Sequence, residues 1–109
     1  MDQAKTDKVQ TPAEAYLLES AGTSRQKVIT VLDLVANFQG VGDWHLARWE
    51  RITGDDLPGL LTQLQVTFPD PADVKTAISV IKGVARCAWR QKLMSGQQLS
   101  IISKWKGDA

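Results

Sequence analysis

Four basic residues and a serine recur at the spacing of one helix face. They are Lys75, Ser79, Lys82, Arg86 and Arg90, at positions i, i+4, i+7, i+11 and i+15, and we call them the basic stripe. No carboxylate interrupts the stripe, although like charges four residues apart cost about 0.2–0.5 kcal/mol per pair. An array of cations about 22 Å long is typical of a surface that contacts phosphates. A solvated helix face that is basic by chance remains the alternative.

The distribution of charge along the chain favours the phosphate-binding interpretation, although the net charge does not. The 109 residues have a formal net charge of only +1. Residues 1–70 hold six Lys or Arg against ten Asp or Glu, a net charge of −4, whereas residues 71–109 hold seven against two, a net charge of +5. Such an asymmetry indicates a basic surface that the sum conceals. Lys92, Lys104 and Lys106 extend it beyond the basic stripe.

A second candidate phosphate site lies in the first half of the chain. Thr23 and Ser24 precede a predicted helix whose first turn holds Arg25 and Lys27. Hydroxyls, cations and free backbone N–H groups at a helix N-terminus suit a phosphate. For this segment taken alone, a capped helix with solvated cations explains the pattern equally simply.

The elements that position these residues are all predicted to be helices. The predicted segments are Ala13–Ser20, Arg25–Phe38, a short turn at Trp44–Glu50, Asp56–Val66, Ala72–Met94 and Gln97–Trp105. Helix starts are indicated at Thr11-Pro12 and Asp70-Pro71, and helix ends at Gly22, Gly40 and Ser95-Gly96. No strand pattern appears, so we expect an all-α bundle of about five helices. Met1–Gln10 lacks apolar periodicity and is predicted to be a flexible tail.

Apolar residues at helical spacing define the expected core. In the second helix they are Val28, Val31, Leu32, Val35 and Phe38, and the short turn adds Trp44, Leu46 and Trp49. In the long helix they are Val74, Ile78, Ile81, Ala85, Ala88 and Trp89. We therefore expect all the tryptophans to serve packing.

The sequence offers no constellation typical of an active site. A single cysteine, Cys87, allows no intrachain disulfide and no multi-cysteine zinc site, and a single histidine, His45, has no catalytic partner nearby in sequence. Asp55-Asp56 is typical of helix capping and lacks a third carboxylate at metal-ligand spacing. We expect no catalytic residue, no metal, no cofactor and no small-molecule substrate. No apolar run is long enough for a membrane span, which favours a cytoplasmic protein with no membrane partner.

The long helix resembles a motif of a known family. Ala77–Lys92, AISVIKGVARCAWRQK, and the following Leu93-Met94-Ser95 are similar to the last long helix of the core-binding domain of tyrosine recombinases, the phage-type integrases. The matching positions are Ile78, Ile81, Lys82, Gly83, Val84, Ala88, Trp89, Arg90, Leu93 and Met94. The similarity covers about residues 12–107, but only this motif is specific. Gln91-Lys92 departs from it, since a glycine often follows the Trp-Arg pair, and we expect a slightly longer helix as a result.

The resemblance implies a compact orthogonal, SAM-like helical domain at residues 11–107. Such a domain clamps one face of double-stranded DNA opposite a separate catalytic domain, which this chain lacks, so the fragment itself is expected not to be an enzyme. The second helix and the long helix would approach the major groove, with Thr23, Ser24 and Thr76 as additional phosphate partners. Other recombinase protomers would be partners in the full-length assembly. A cytoplasmic, nucleoid-associated protein of bacterial or phage origin is implied.

An interaction module of a different class also fits the residues. A helical adaptor could use the same basic stripe to dock an acidic protein. The sequence alone leaves DNA binding and this alternative open.

Overall fold

The computed structural model describes residues 11–19 and 25–105, which form five α-helices and no strand. The helices are α1 (Pro12–Glu19), α2 (Arg25–Phe38), α3 (Leu57–Thr67), α4 (Pro71–Arg90) and α5 (Gly96–Ser103). Three short 3-10 segments, Trp44–Leu46, Trp49–Arg51 and Gly54–Asp56, connect α2 to α3. The prediction of an all-α bundle of about five helices is confirmed. The expected tail at Met1–Gln10 and helix stop at Gly22 lie outside the described residues.

Local capping signals fix where the helices begin. The Thr11 hydroxyl accepts from the Glu14 N–H at 3.2 Å while the Glu14 carboxylate accepts from the Thr11 N–H at 2.9 Å. This reciprocal pair is a capping box, which satisfies backbone donors that the first helical turn leaves free. The side chains of Asp70 and Ser95 cap α4 and α5. Gly40 follows α2 with φ +82°, the left-handed conformation expected after a helix.

The end of α4 differs from the prediction. The helix stops at Arg90, so both the expected end at Met94 and the longer helix expected from Lys92 are wrong. Lys92 adopts φ +66°, and the N–H of Leu93 donates to the carbonyl of Ala88 at 2.9 Å. This is the turn that glycine usually makes after a helix. The backbone thus terminates the helix even though a lysine occupies the left-handed position.

Helix α4 is the central element of the bundle. It contacts each of the other four α-helices and the 3-10 segment at Trp49–Arg51. Ten of its twenty residues are buried: Val74, Ala77, Ile78, Val80, Ile81, Gly83, Val84, Ala85, Cys87 and Ala88. Five of the six residues expected to face the core are therefore buried, on a much wider arc than predicted. Each fully buried aliphatic side chain contributes about 1.5–3 kcal/mol to stability.

Three residues expected in the core are exposed instead. Trp89 is 46% exposed, Leu46 62% and Phe38 37%. Phe38 lies at the last position of α2, where its ring covers Gly59 but keeps one side in solvent. Leu46 ends a 3-10 segment in which no residue is buried. By contrast Trp49 is fully buried, as predicted.

Candidate nucleic-acid interface

The basic stripe occupies the solvent-facing side of α4. Lys75, Ser79, Arg86 and Arg90 are exposed and Lys82 is half-buried. From Lys75 to Arg90, every residue outside the stripe is buried except Thr76 and Trp89. At 100° per residue, the stripe and Trp89 fall within an arc of about 100°. From Lys75 to Arg90, the charged residues that α4 presents to solvent are thus all cationic.

A close contact between α1 and α4 sets one border of the basic stripe. The ring of Tyr16 lies directly on Gly83, where any Cβ would overlap the ring atoms. Glycine is therefore required at this position by packing, because no side chain fits between the two helices. The contact explains why the sequence has a glycine in the interior of a 20-residue helix. It also places the C-terminus of α1 beside the last turn of α4.

The last cation of the basic stripe has a carboxylate partner on α1. Nη2 of Arg90 donates to both carboxylate oxygens of Glu19, at 2.8 and 2.9 Å, and to Sγ of Cys87 at 3.2 Å. The hydrogen bonds that Arg90 donates to Glu19, and then the one to Cys87, raise the pKa of Arg90 above its usual value. Cys87 itself is buried. The guanidinium is thus held in one place at the end of the stripe and stays fully charged.

Two of the proposed phosphate partners lie off the basic stripe. Nζ of Lys27 donates to Oδ1 of Asp73 at 2.7 Å and ties the first turn of α2 to the first turn of α4. Asp73 lies about 140° around the helix from Arg86, so Lys27 is on another side of α4. The Thr76 hydroxyl donates to the carbonyl of Ala72 at 3.1 Å within α4. The structure therefore does not bring Lys27 together with the stripe.

Several cations form no ion pair with another described residue. The ion pairs within residues 11–19 and 25–105 are Lys27–Asp73, His45–Asp43, Arg48–Glu50 and Arg90–Glu19. Lys75, Lys82 and Arg86 take part in none of these, and neither does Arg25, which is exposed at the start of α2. Thr23 and Ser24 lie outside the described residues. Within the described residues, no carboxylate competes with a ligand for these four cations.

His45 belongs to a local turn. Its Nδ1 lies 2.7 Å from Oδ1 of Asp43, and its ring stacks on Trp44 with the ring centroids 3.8 Å apart. The hydrogen bond from the His45 backbone N–H, followed by that of the ring, lowers the pKa of Asp43. This arrangement caps the 3-10 segment at Trp44–Leu46.

The described residues offer neither a metal site nor a membrane-spanning helix. In residues 11–19 and 25–105 no group of three or more His, Cys, Asp or Glu is placed to hold a metal ion. None of the helices in the described ranges has the length and apolar character needed to cross a bilayer. The basic stripe is the surface feature on which a function can be argued.

Two residues of this surface were missed by sequence reasoning. Glu19 and Arg90 are 71 positions apart in the sequence, so no local sequence pattern predicts their ion pair. Trp89 was placed in the core, although it follows Arg86 by three residues and Lys82 by seven, which is the spacing of the stripe itself. That spacing could have indicated that Trp89 lies on the exposed face of α4 with the cations.

Comparison with family models, curated proteins and solved structures finds no significant match for this chain. Its function is therefore inferred from its residues and their arrangement.

Proposed function

We propose that this chain is a DNA-binding module that contacts the duplex through the basic stripe. The observation that carries the proposal is the composition of the exposed arc of α4. Four cations and a hydroxyl occupy it, and no carboxylate lies within it. A surface with one sign of charge over this length attracts a polyanion, and phosphates dominate the affinity of proteins for DNA.

The dimensions of the basic stripe match a stretch of DNA backbone. Lys75 and Arg90 are separated by fifteen residues, or about 22 Å along the helix axis. One strand of B-DNA has a phosphate about every 3.4 Å of its axis, so about 22 Å of axis holds about six phosphates per strand, and those on the near side of the two strands are within reach of the stripe. The four cations of the stripe would provide about four contacts, and Arg25, which is exposed at the start of α2, would add a fifth if the duplex also reaches that helix.

The resemblance of Ala77–Met94 to a recombinase motif supports a more specific proposal. In it, this chain is the core-binding domain of a tyrosine recombinase, and it positions a catalytic domain on a crossover site. Strand cleavage and rejoining would then belong to residues outside this chain. Contacts with other protomers would form only in the full assembly on DNA.

A pair of charge-matched variants tests the DNA-binding proposal. Lys82→Ala/Arg86→Ala removes two cations from the basic stripe, whereas Arg48→Ala/Arg51→Ala removes two exposed cations outside α4. Fluorescence anisotropy with a labelled 30-base-pair duplex at low salt measures both affinities. We expect the first variant to lose affinity by about tenfold or more and the second by much less, because only the first loses direct phosphate contacts. Circular dichroism checks that both variants are folded.

Equal losses in the two variants would show that only net charge matters and would contradict the proposed interface. A polyglutamate competitor distinguishes DNA from an acidic protein as the partner. If polyglutamate of matched charge displaces the duplex at equal concentration, the stripe is a general acceptor of acidic partners and the DNA proposal fails.

A further inference from the structure

Trp89 is an exception among the tryptophans of this protein. Trp49 is 1% exposed, and Trp44 and Trp105 pack partly against the core. Trp89 is 46% exposed, on the solvent-facing side of the central helix. An indole is the largest apolar side chain, so leaving nearly half of it in water forgoes stabilisation that burial would provide.

The surroundings of Trp89 are cationic on its helix. Arg86 precedes it by three residues and Lys82 by seven, so all three lie on one side of α4. The core side of the helix is already filled by Ile78 and Ala85, which are buried. Trp89 therefore lies at the edge of the basic stripe, with the packed core behind it.

The indole is also held in position. Its Nε1 lies over Gly96, the first residue of α5, and a Cβ there would be 3.7 Å away in ordinary contact. The indole N–H donates no hydrogen bond to any residue in the described part of the chain. The edge of the indole that carries Nε1 thus lies beside the first residue of α5, while nearly half of the side chain remains exposed to solvent.

We propose that Trp89 is a DNA-contacting residue whose indole packs against sugar and base surfaces beside the phosphates bound by Lys82 and Arg86. This inference rests on the proposed function. It adds an apolar contact that contributes to the affinity for DNA beside the phosphate contacts. Phosphate contacts by cations weaken as salt rises, because counterion release drives them. An apolar contact with sugars and base edges neutralises no phosphate and releases no counterion, so its contribution to affinity varies little with salt.

Salt dependence separates the two kinds of contact. We measure the Kd for a 30-base-pair duplex from 50 to 300 mM salt with wild type, Trp89→Ala, Trp89→Phe and Lys82→Ala. We expect Trp89→Ala to weaken binding about three- to tenfold at every salt concentration, because apolar contact area is lost, with an unchanged slope of log K against log salt. Trp89→Phe should retain most of the affinity. Lys82→Ala should make the slope shallower by about 0.9.

Val66→Ala is the matched control, since Val66 is an apolar residue 76% exposed on α3. It should bind DNA as wild type does. A second readout uses protein labelled with 5-fluorotryptophan, whose four ¹⁹F resonances are assigned with single Trp→Phe variants. We expect DNA to shift the Trp89 resonance and to leave that of the buried Trp49 in place.

The outcomes distinguish this inference from the proposed function. If wild type shows no salt-dependent binding, both fail. If wild type binds with a steep salt slope but Trp89→Ala binds within twofold of it, or the Trp89 resonance does not move, the DNA contact by Trp89 is wrong and the basic stripe stands. A Trp89→Ala variant with a shallower slope would also contradict the inference, because a lost phosphate contact would then explain the effect.

Discussion

The carboxylate of Glu19 at the end of α1 accepts two hydrogen bonds from Arg90 at the end of α4, at 2.8 and 2.9 Å. Both side chains are about half exposed, so water and ions reach the pair. A phosphate that binds Arg90 must compete with this carboxylate. Glu19 therefore opposes DNA binding at one end of the basic stripe while it fixes the position of the guanidinium.

Glu19→Gln should tighten DNA binding by about two- to fivefold at low salt, because an exposed ion pair is weak and its removal frees one cation. Anisotropy with the duplex described above measures the change. Asp33→Asn removes the same charge from an exposed site on α2 and controls for net charge. If both variants gain equally, the gain comes from net charge, and competition at Arg90 is excluded.

Gly83→Ala should destabilise the fold by about 1–3 kcal/mol. Helix propensity alone favours alanine by about 1 kcal/mol, but a Cβ at this position overlaps the ring of Tyr16 and must displace α1. Urea denaturation followed by circular dichroism measures the free energy of unfolding. A variant more stable than wild type would show that α1 does not lie against α4 as described.

Gly96→Ala is the control for that experiment. A Cβ at Gly96 meets only Nε1 of Trp89, at an ordinary contact distance of 3.7 Å. We expect the free energy of unfolding to change by less than about 0.5 kcal/mol. The contrast isolates the close contact at Gly83 from the general effect of replacing a helical glycine.

Lys92→Gly should stabilise the protein by about 0.5–1 kcal/mol. Lys92 has φ +66°, where a Cβ is strained and glycine is not. Lys92→Ala removes the same charge but keeps the Cβ, so it should not be stabilising. Equal unfolding free energies for the two variants would mean that backbone strain at this position is negligible.

Much of the fold followed from short-range rules. The starts of α1 and α4 depend on capping by Thr11 and Asp70 within three residues, and the turn after α2 depends on Gly40 alone. Such interactions involve neighbours in sequence, so composition and spacing suffice to predict them. The same rule failed at Lys92, where the tertiary structure imposes the turn on an unfavourable residue.

The prediction that Trp89 lies in the core is wrong for a different reason. The apolar spacing predicts a single buried stripe on α4, whereas the helix contacts four others and buries both Ile78 and Val80, which lie about 160° apart around its axis. Which residue then falls at the edge of the buried arc depends on where α1 and α5 pack. The pairs Glu19–Arg90 and Lys27–Asp73 likewise depend on helix packing, so sequence spacing could not reveal them.

The salt dependence of duplex binding by the wild-type chain tests the central claim most directly. With about five phosphate contacts, the slope of log K against log salt should be about −4 to −5. Lys82→Ala/Arg86→Ala should make that slope shallower by about 1.8. A wild-type isotherm that does not change between 50 and 300 mM salt would contradict phosphate binding by the basic stripe.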